Sequence, residues 1–209
     1  MLFPIRVRTF VTTAIVVGSV AAFVAPTAAA AAAPKTQGVG SVTCSAKGKV
    51  TFNPPLTTAG TGGTMEKIKI AVKLSSCSGT GDGATIVGGS TKTLSVVASD
   101  DATKCSAVPD WELSMLAVTT RWKASTGSPQ LANTQDGFNL TSISANPVTW
   151  NYSPAYPGTT GSFSGDDASA QFVLQQTQAE IDAACASPAG LATLKITNAS
   201  TLAWALPAS

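Results

Sequence analysis

Residues 66–75 read Glu66-Lys67-Ile68-Lys69-Ile70-Ala71-Val72-Lys73-Leu74-Ser75. Ile68, Ile70, Val72 and Leu74 alternate with Lys67, Lys69, Ala71 and Lys73. A period of two over this length marks a β-strand with one buried face and one solvated face, and the lysines say which face meets water. Upstream, Val50-Thr51-Phe52 begins a second strand, and Pro54-Pro55 is expected to end it. The Gly/Thr-rich stretch 57–64 between the two reads as a hairpin loop centred near Gly60-Thr61.

The same texture runs through the rest of the chain. Short β-type runs fall at 85–87, 91–98, 115–123, 138–144, 148–152, 161–164, 170–174, 191–197 and 201–206, separated by Gly, Ser, Asn, Asp and Pro. Turn signals at roughly 8–12-residue spacing point to an all-β protein, and an antiparallel Ig-like β-sandwich is the expected architecture. One segment departs from the pattern. Residues 175–186 are rich in Gln and Ala, contain no Gly or Pro, and carry Thr177 three positions before Glu180, the spacing of a capping box. Ile181, Ala184 and Cys185 share one helical face, so a single short helix is expected in the C-terminal half, docked through that face. With no repeat and no second core, residues 41–206 are read as a single β-sandwich domain.

The first 33 residues read as a secretory signal peptide. Arg6 and Arg8 precede the uncharged apolar stretch 9–24, and the alanine run 28–33 supplies the small residues a signal peptidase accepts, with the cut expected near 30–33. Residues 34–40 are expected to form a mobile tail. Membrane association would come only through an uncleaved leader. Across 209 residues there are 13 Lys+Arg, 11 Asp+Glu and no His. Arg6 and Arg8 leave with the leader, so the mature chain is expected to be neutral. So even a balance argues against nucleic acid as a partner and against steering toward an anionic surface. Absence of His closes Ser-His-Asp and Cys-His mechanisms and any His-ligated metal site.

Export implies an oxidising compartment, where Cys44, Cys77, Cys105 and Cys185 can pair. Four cysteines allow three connectivities. The hairpin about Gly60-Thr61 places Cys44 opposite Cys77. Burying Val50 and Phe52 with Ile70 and Ile68 demands an even sum of paired numbers, whereas 44 and 77 sum to an odd one. A one-residue bulge reconciles the two, and Gly48 is a suitable place for it. Cys44–Cys77 is therefore expected, and Cys105–Cys185 by elimination.

The segments Val42-Thr43-Cys44, 50–56 and Leu74-Ser75-Ser76-Cys77-Ser78-Gly79, with Ala184-Cys185 and Gly190-Leu191-Ala192-Thr193 near the end, resemble a group of uncharacterised exported actinobacterial proteins with an Ala-rich leader and a four-cysteine all-β domain. The resemblance implies export and an all-β fold. It brings no activity and no site residues.

Candidate chemistry is sparse. Asp100-Asp101, Asp166-Asp167 and the Gly81-Asp82-Gly83 turn are the acidic clusters. Adjacent carboxylates diverge, and Asp in a turn serves its own backbone. A carboxylate-based hydrolase would need two acids from distant segments facing across a groove. The calcium pattern D-x-D-x-D-G is absent, as is a G-x-S-x-G elbow. No catalytic residue, metal or cofactor is expected. The best lead is Trp150-Asn151-Tyr152-Ser153-Pro154-Ala155-Tyr156-Pro157-Gly158. Exposed aromatic faces there would stack on a sugar ring, with Asn151 hydrogen-bonding it, as in a carbohydrate-binding module; buried, Trp150, Tyr152 and Tyr156 would be core or edge packing. A further alternative is a neocarzinostatin-like small-ligand carrier, which needs an apolar cleft between its sheets. The reading favoured is a secreted or cell-envelope protein that binds an unidentified extracellular ligand or envelope component without catalysis. Intact mass spectrometry of the exported, unreduced protein should give a chain beginning between residues 30 and 34 that carries two disulfides. A chain retaining Arg6 and Arg8 would overturn the leader reading.

Overall fold

Val50 pairs with Ile70 and Phe52 with Ile68, so the alternation of both strands falls on one buried face, as the parity of the sequence demands. These strands are β1 (Val42–Leu56) and β2 (Glu66–Gly79). The structure is a computed structural model, and it describes residues 34–60, 66–93, 96–98, 104–105, 116–155 and 160–205. The chain divides into residues 1–32 and 33–209; the leader and Tyr156 lie outside the described residues, as do Asp100, Asp101 and Trp111.

After β2 come a 3-10 turn (Gly81–Thr85), β3 (Ile86–Thr93), β4 (Val96–Ala98), β5 (Leu116–Ala124), β6 (Thr134–Ala145), β7 (Val148–Pro154), β8 (Thr160–Gly161), β9 (Asp167–Val173), helix α1 (Gln178–Ala186) and β10 (Leu191–Ala205). Hydrogen bonding runs β1-β10-β9-β7-β6-β5-β3-β2 and returns from β2 to β1. Every one of these pairs is antiparallel. The eight strands thus close on themselves. β4 follows β3 along the same edge of β2, and the two-residue β8 adds to β6.

The expected open Ig-like sandwich is therefore wrong: the sheet is a closed barrel. Both architectures alternate inward and outward residues along every strand, so the period of two does not separate them. What separates them is β1, which Pro54-Pro55 does not cut short and which pairs on both edges. Lys49, for instance, faces Lys195 of β10 on one side and Ala71 of β2 on the other. β10 is one strand of 15 residues where two were expected.

Bulges bend the wall at the closing seam. Between β1 and β2 the register slips by one residue across Thr43 and Ser45, where Ser76 of β2 takes a left-handed conformation (φ 48°). The expected bulge is thus real, but it sits opposite Cys44 rather than at Gly48. Gly48 instead flanks the slip between β1 and β10, and a Cβ there would collide with the Ala71 carbonyl oxygen. Both expected disulfides are present, Cys44–Cys77 and Cys105–Cys185.

An eight-stranded barrel is just wide enough for its own side chains to fill. At one end Trp122 meets Phe163 and Trp204 edge-on, with centroids 5.3 and 4.7 Å apart. Their indole N–H groups are satisfied: Trp122 donates to Thr134 Oγ1 and Trp204 to Asp136 Oδ2, each at 2.7 Å. At the other end α1 brings Ile181 and Cys185 into the same core as Leu56, Leu191 and Leu194. The capping box is formed, with Thr177 and Glu180 each bonding the other's backbone N–H. The helix starts three residues later than expected because Gln175 and Gln176 bond to β10: the Gln175 N–H donates to the Lys195 carbonyl at 2.8 Å, and Gln176 Oε1 accepts from the Lys195 N–H at 2.9 Å.

Residues 36–40, expected in a mobile tail, are bonded across the first end. Thr36 N–H donates to the Gln130 carbonyl, Ala132 N–H to the Thr36 carbonyl, and Gly38 N–H to Ser162 Oγ.

The Cys105–Cys185 bond closes the longer loop, 80 residues against 33. Replacing both of its cysteines by Ala should cost about 4 kcal/mol in denaturant unfolding, slightly more than loss of Cys44–Cys77 on chain-entropy grounds. An unchanged midpoint for the Cys105→Ala, Cys185→Ala protein would contradict this.

Candidate functional site

Two of the three aromatics in the lead are buried in the barrel; the third, Tyr156, lies outside the described residues. Val148, Trp150 and Tyr152 alternate inward along β7, which is hydrogen-bonded along both edges, to β6 and to β9. Trp150 is 1% exposed and Tyr152 4%, so neither ring offers a stacking face. Tyr152 packs edge-on against Phe172, and burial pushes its phenol well above the usual range, so it stays neutral. Asn151 does point outward, but its amide is engaged: Nδ2–H donates to Ser142 Oγ and Oδ1 accepts from Gln171 Nε2, both at 3.0 Å. The period-two reading that buries Ile68 and Ile70 also buries Trp150 and Tyr152 when applied to 148–152, and that was the available signal.

The barrel interior leaves little space. Among Ile70, Thr93, Phe138, Tyr152, Phe172 and their neighbours the cavity is about 10 Å³, enough for about one water molecule. Its threonines are committed to the wall: Thr91 and Thr120 share a hydrogen bond at 3.0 Å, and Thr93 Oγ1 accepts from the Ile70 N–H at 2.9 Å.

Among the described residues, Asp82, Asp136 and Glu180 serve local structure. Asp136 holds Trp204 inside the barrel. Asp82 Oδ2 accepts from the Val39 N–H at 3.0 Å, and its own N–H donates to the Val39 carbonyl, so the acidic turn clasps the incoming chain. Asp166 is buried beside exposed Asp167; burial, then the neighbouring negative charge, raises its pKa above the usual carboxylate value. Hydrogen bonds from the Thr177 backbone and then its side chain lower that of Glu180. Among the described residues no three of His, Cys, Asp and Glu come together in a way that would hold a metal.

A different site emerges on the outer wall, one the sequence did not show. β10, β1, β2, β3 and β5 are neighbours in that order. Their outward positions carry Lys195, then Lys47 and Lys49, then Lys67, Lys69 and Lys73, then Lys92, then Arg121 and Lys123, and all nine are exposed. These five strands contain one acid, Glu66, at the first position of β2. The opposite wall, β6, β7 and β9, contains no Lys or Arg. A chain with a formal net charge of only +2 therefore sorts its charges by strand, which a net-charge argument does not see.

Register brings cations side by side. Lys49 lies directly across from Lys195, and Lys47 directly across from Lys73. Lys92 pairs with Ala71, which on its other side pairs with Lys49. Lys47, Lys49, Lys73, Lys92 and Lys195 surround an open concavity of about 470 Å³ whose floor is formed by the short residues Gly48, Ala71 and Ser90. Like charges directly opposite across an antiparallel pair destabilise a sheet. The wall holds two such pairs.

Comparison of the chain with family models, with curated proteins and with solved structures finds no match. The site stands on its geometry.

If the wall is built at the expense of stability, reversing one charge should help the fold. Lys49→Glu would place a carboxylate opposite Lys195 and should raise stability by about 0.2–1 kcal/mol at low salt, the gain shrinking as salt screens it. Thermal unfolding across a salt series checks both parts. A destabilised variant would refute the repulsion.

Proposed function

We propose that this chain is an exported, non-catalytic barrel that binds a component of the cell envelope or extracellular space through its outer wall. The observation that carries this reading is the concave lysine cluster on β10, β1, β2 and β3, the one feature among the described residues with exposed, convergent functional groups and room for a ligand.

The remaining observations support it. Two disulfides fit an oxidising compartment. No helix among the described residues is long and apolar enough to cross a membrane. Trp150 and Tyr152 are core residues, so recognition by aromatic stacking at 150–152 is dropped. A small-ligand carrier would need room in the barrel interior, where the cavity among Ile70, Phe138, Tyr152 and Phe172 holds about one water. A carboxylate hydrolase would need two free acids across a groove, whereas Asp82 and Asp136 are engaged in holding the chain and an indole. A rigid, stapled barrel is a suitable platform for a wall-borne site, because side chains on paired strands are fixed more tightly than those on loops.

Co-sedimentation of the protein, purified without reductant, with isolated envelope from the cells that export it tests the reading. Saturable association at moderate salt is expected, with no change in the envelope material. Protein that stays wholly in the supernatant would overturn it.

A further inference from the structure

We propose that the lysine wall is a docking surface for an acidic polysaccharide lying across the strands. This rests on the reading above and names the class of ligand.

The register lays out two neighbouring rows on the outer face. One runs Lys195, Lys49, Ala71, Lys92 across β10, β1, β2 and β3. The other runs Lys47, Lys73, Ser90, Arg121 across β1, β2, β3 and β5. Strands sit about 4.8 Å apart, so each row spans about 14 Å and presents three cations at its rims. Ala71 and Ser90 interrupt the rows with short side chains, and Gly48 adds none. The result is a trough between cations, shaped for an extended chain.

Charge complementarity sets the sign of the occupant. Neighbouring cations in each row stand one or two strand spacings apart, about 5 to 10 Å, and the only acid on the five strands is Glu66, outside both rows. No acid on these strands lies within either row to neutralise them. An anionic chain in the trough would supply the missing charge and relieve the repulsion between Lys49 and Lys195 and between Lys47 and Lys73.

The neighbouring chemistry selects among polyanions. Single-stranded nucleic acid is held by aromatic faces on which bases stack. Phe52, Trp122, Phe138, Trp150, Tyr152, Phe163, Phe172 and Trp204 are all buried, so among the described residues the wall offers none. Phosphate recognition in depth favours the forked guanidinium of Arg, and eight of the nine cations here are Lys, which act as flexible point charges. A lipid surface presents a plane, not a chain that can enter a trough. Hydroxyls accompany the lysines instead: Ser90 lies in one row, Thr119 faces Lys92, and Thr51 faces Lys69. Flexible ammonium groups among hydroxyls match a glycan whose carboxylates alternate with hydroxyl-bearing rings.

Binding of fluorescent polygalacturonate, with neutral dextran, single-stranded oligodeoxythymidine and anionic phospholipid vesicles as competitors, tests the proposal on the oxidised protein. Polygalacturonate should bind, and binding should weaken between about 0.1 M and about 1 M salt, where the screening length falls from about 10 to about 3 Å. Lys49→Gln, Lys73→Gln, Lys92→Gln combined should bind at least about tenfold more weakly while melting no lower than the parent, since three repelling charges are gone. Lys35→Gln, off the wall, should bind like the parent. Equal binding by the triple variant, or stronger competition by the oligonucleotide or the vesicles than by unlabelled polygalacturonate, would overturn the proposal. Should polygalacturonate fail while the parent still sediments with envelope, the polysaccharide assignment falls and the envelope-binding reading stands; if sedimentation fails too, both fall.

Discussion

The fold depends on β1 hydrogen-bonding along both of its edges. One edge is taken by β2, its hairpin partner, and the other by β10, the last strand of the chain. With both edges occupied the sheet has no end, and the liability of an unpaired edge is removed. Closure also explains the interior. Side chains that an open sheet would share with a second sheet fill one small barrel, and Trp122, Trp204 and Phe163 close it where polar partners for the indoles are at hand.

The same closure assembles the lysine wall. Lys195 is far from Lys49 in sequence and stands beside it only because β10 seals the barrel against β1. The wall therefore belongs to the tertiary structure and not to any one strand. Its repulsion works against the fold, and the two disulfides work for it. A short, weakly charged domain that places its cations together in this way sets like charges against one another, a cost that the proposed binding face accounts for.

Much of the local structure was legible in the sequence. The alternation in 66–75 gave the buried face of β2, and parity gave the pairing of Val50 with Ile70 and Phe52 with Ile68. Cys44–Cys77 followed from that hairpin once a bulge was added, and Thr177 with Glu180 marked the helix start, because both are set by residues close together or by one hairpin; Cys105–Cys185 followed only by elimination. Closure was not legible. It rests on pairing between residues about as far apart as the domain allows, and a barrel and a sandwich impose the same period on every strand. The bulge was required by arithmetic but placed at Gly48, whose lack of a side chain serves close approach to Ala71; Ser76 carries it instead. The solvated lysines of β2 were visible, yet their meeting with Lys47, Lys49, Lys92 and Lys195 needed the strand order. For Trp150 and Tyr152 the density of aromatics and prolines left a surface cluster and core packing both open, and the alternation of β7 decides for the core.

Closure of the barrel through β1 is the central claim, and the wall stands or falls with it. Cross-strand nuclear Overhauser contacts in the oxidised protein test it most directly. The account expects Lys49 backbone protons to show contacts to Ala71 and to Lys195 in the same molecule, with slow amide exchange along both edges of β1. Contacts to Ala71 alone, with the β1 and β10 amides that should face each other exchanging freely, would contradict the barrel and scatter the cations on which the binding face depends.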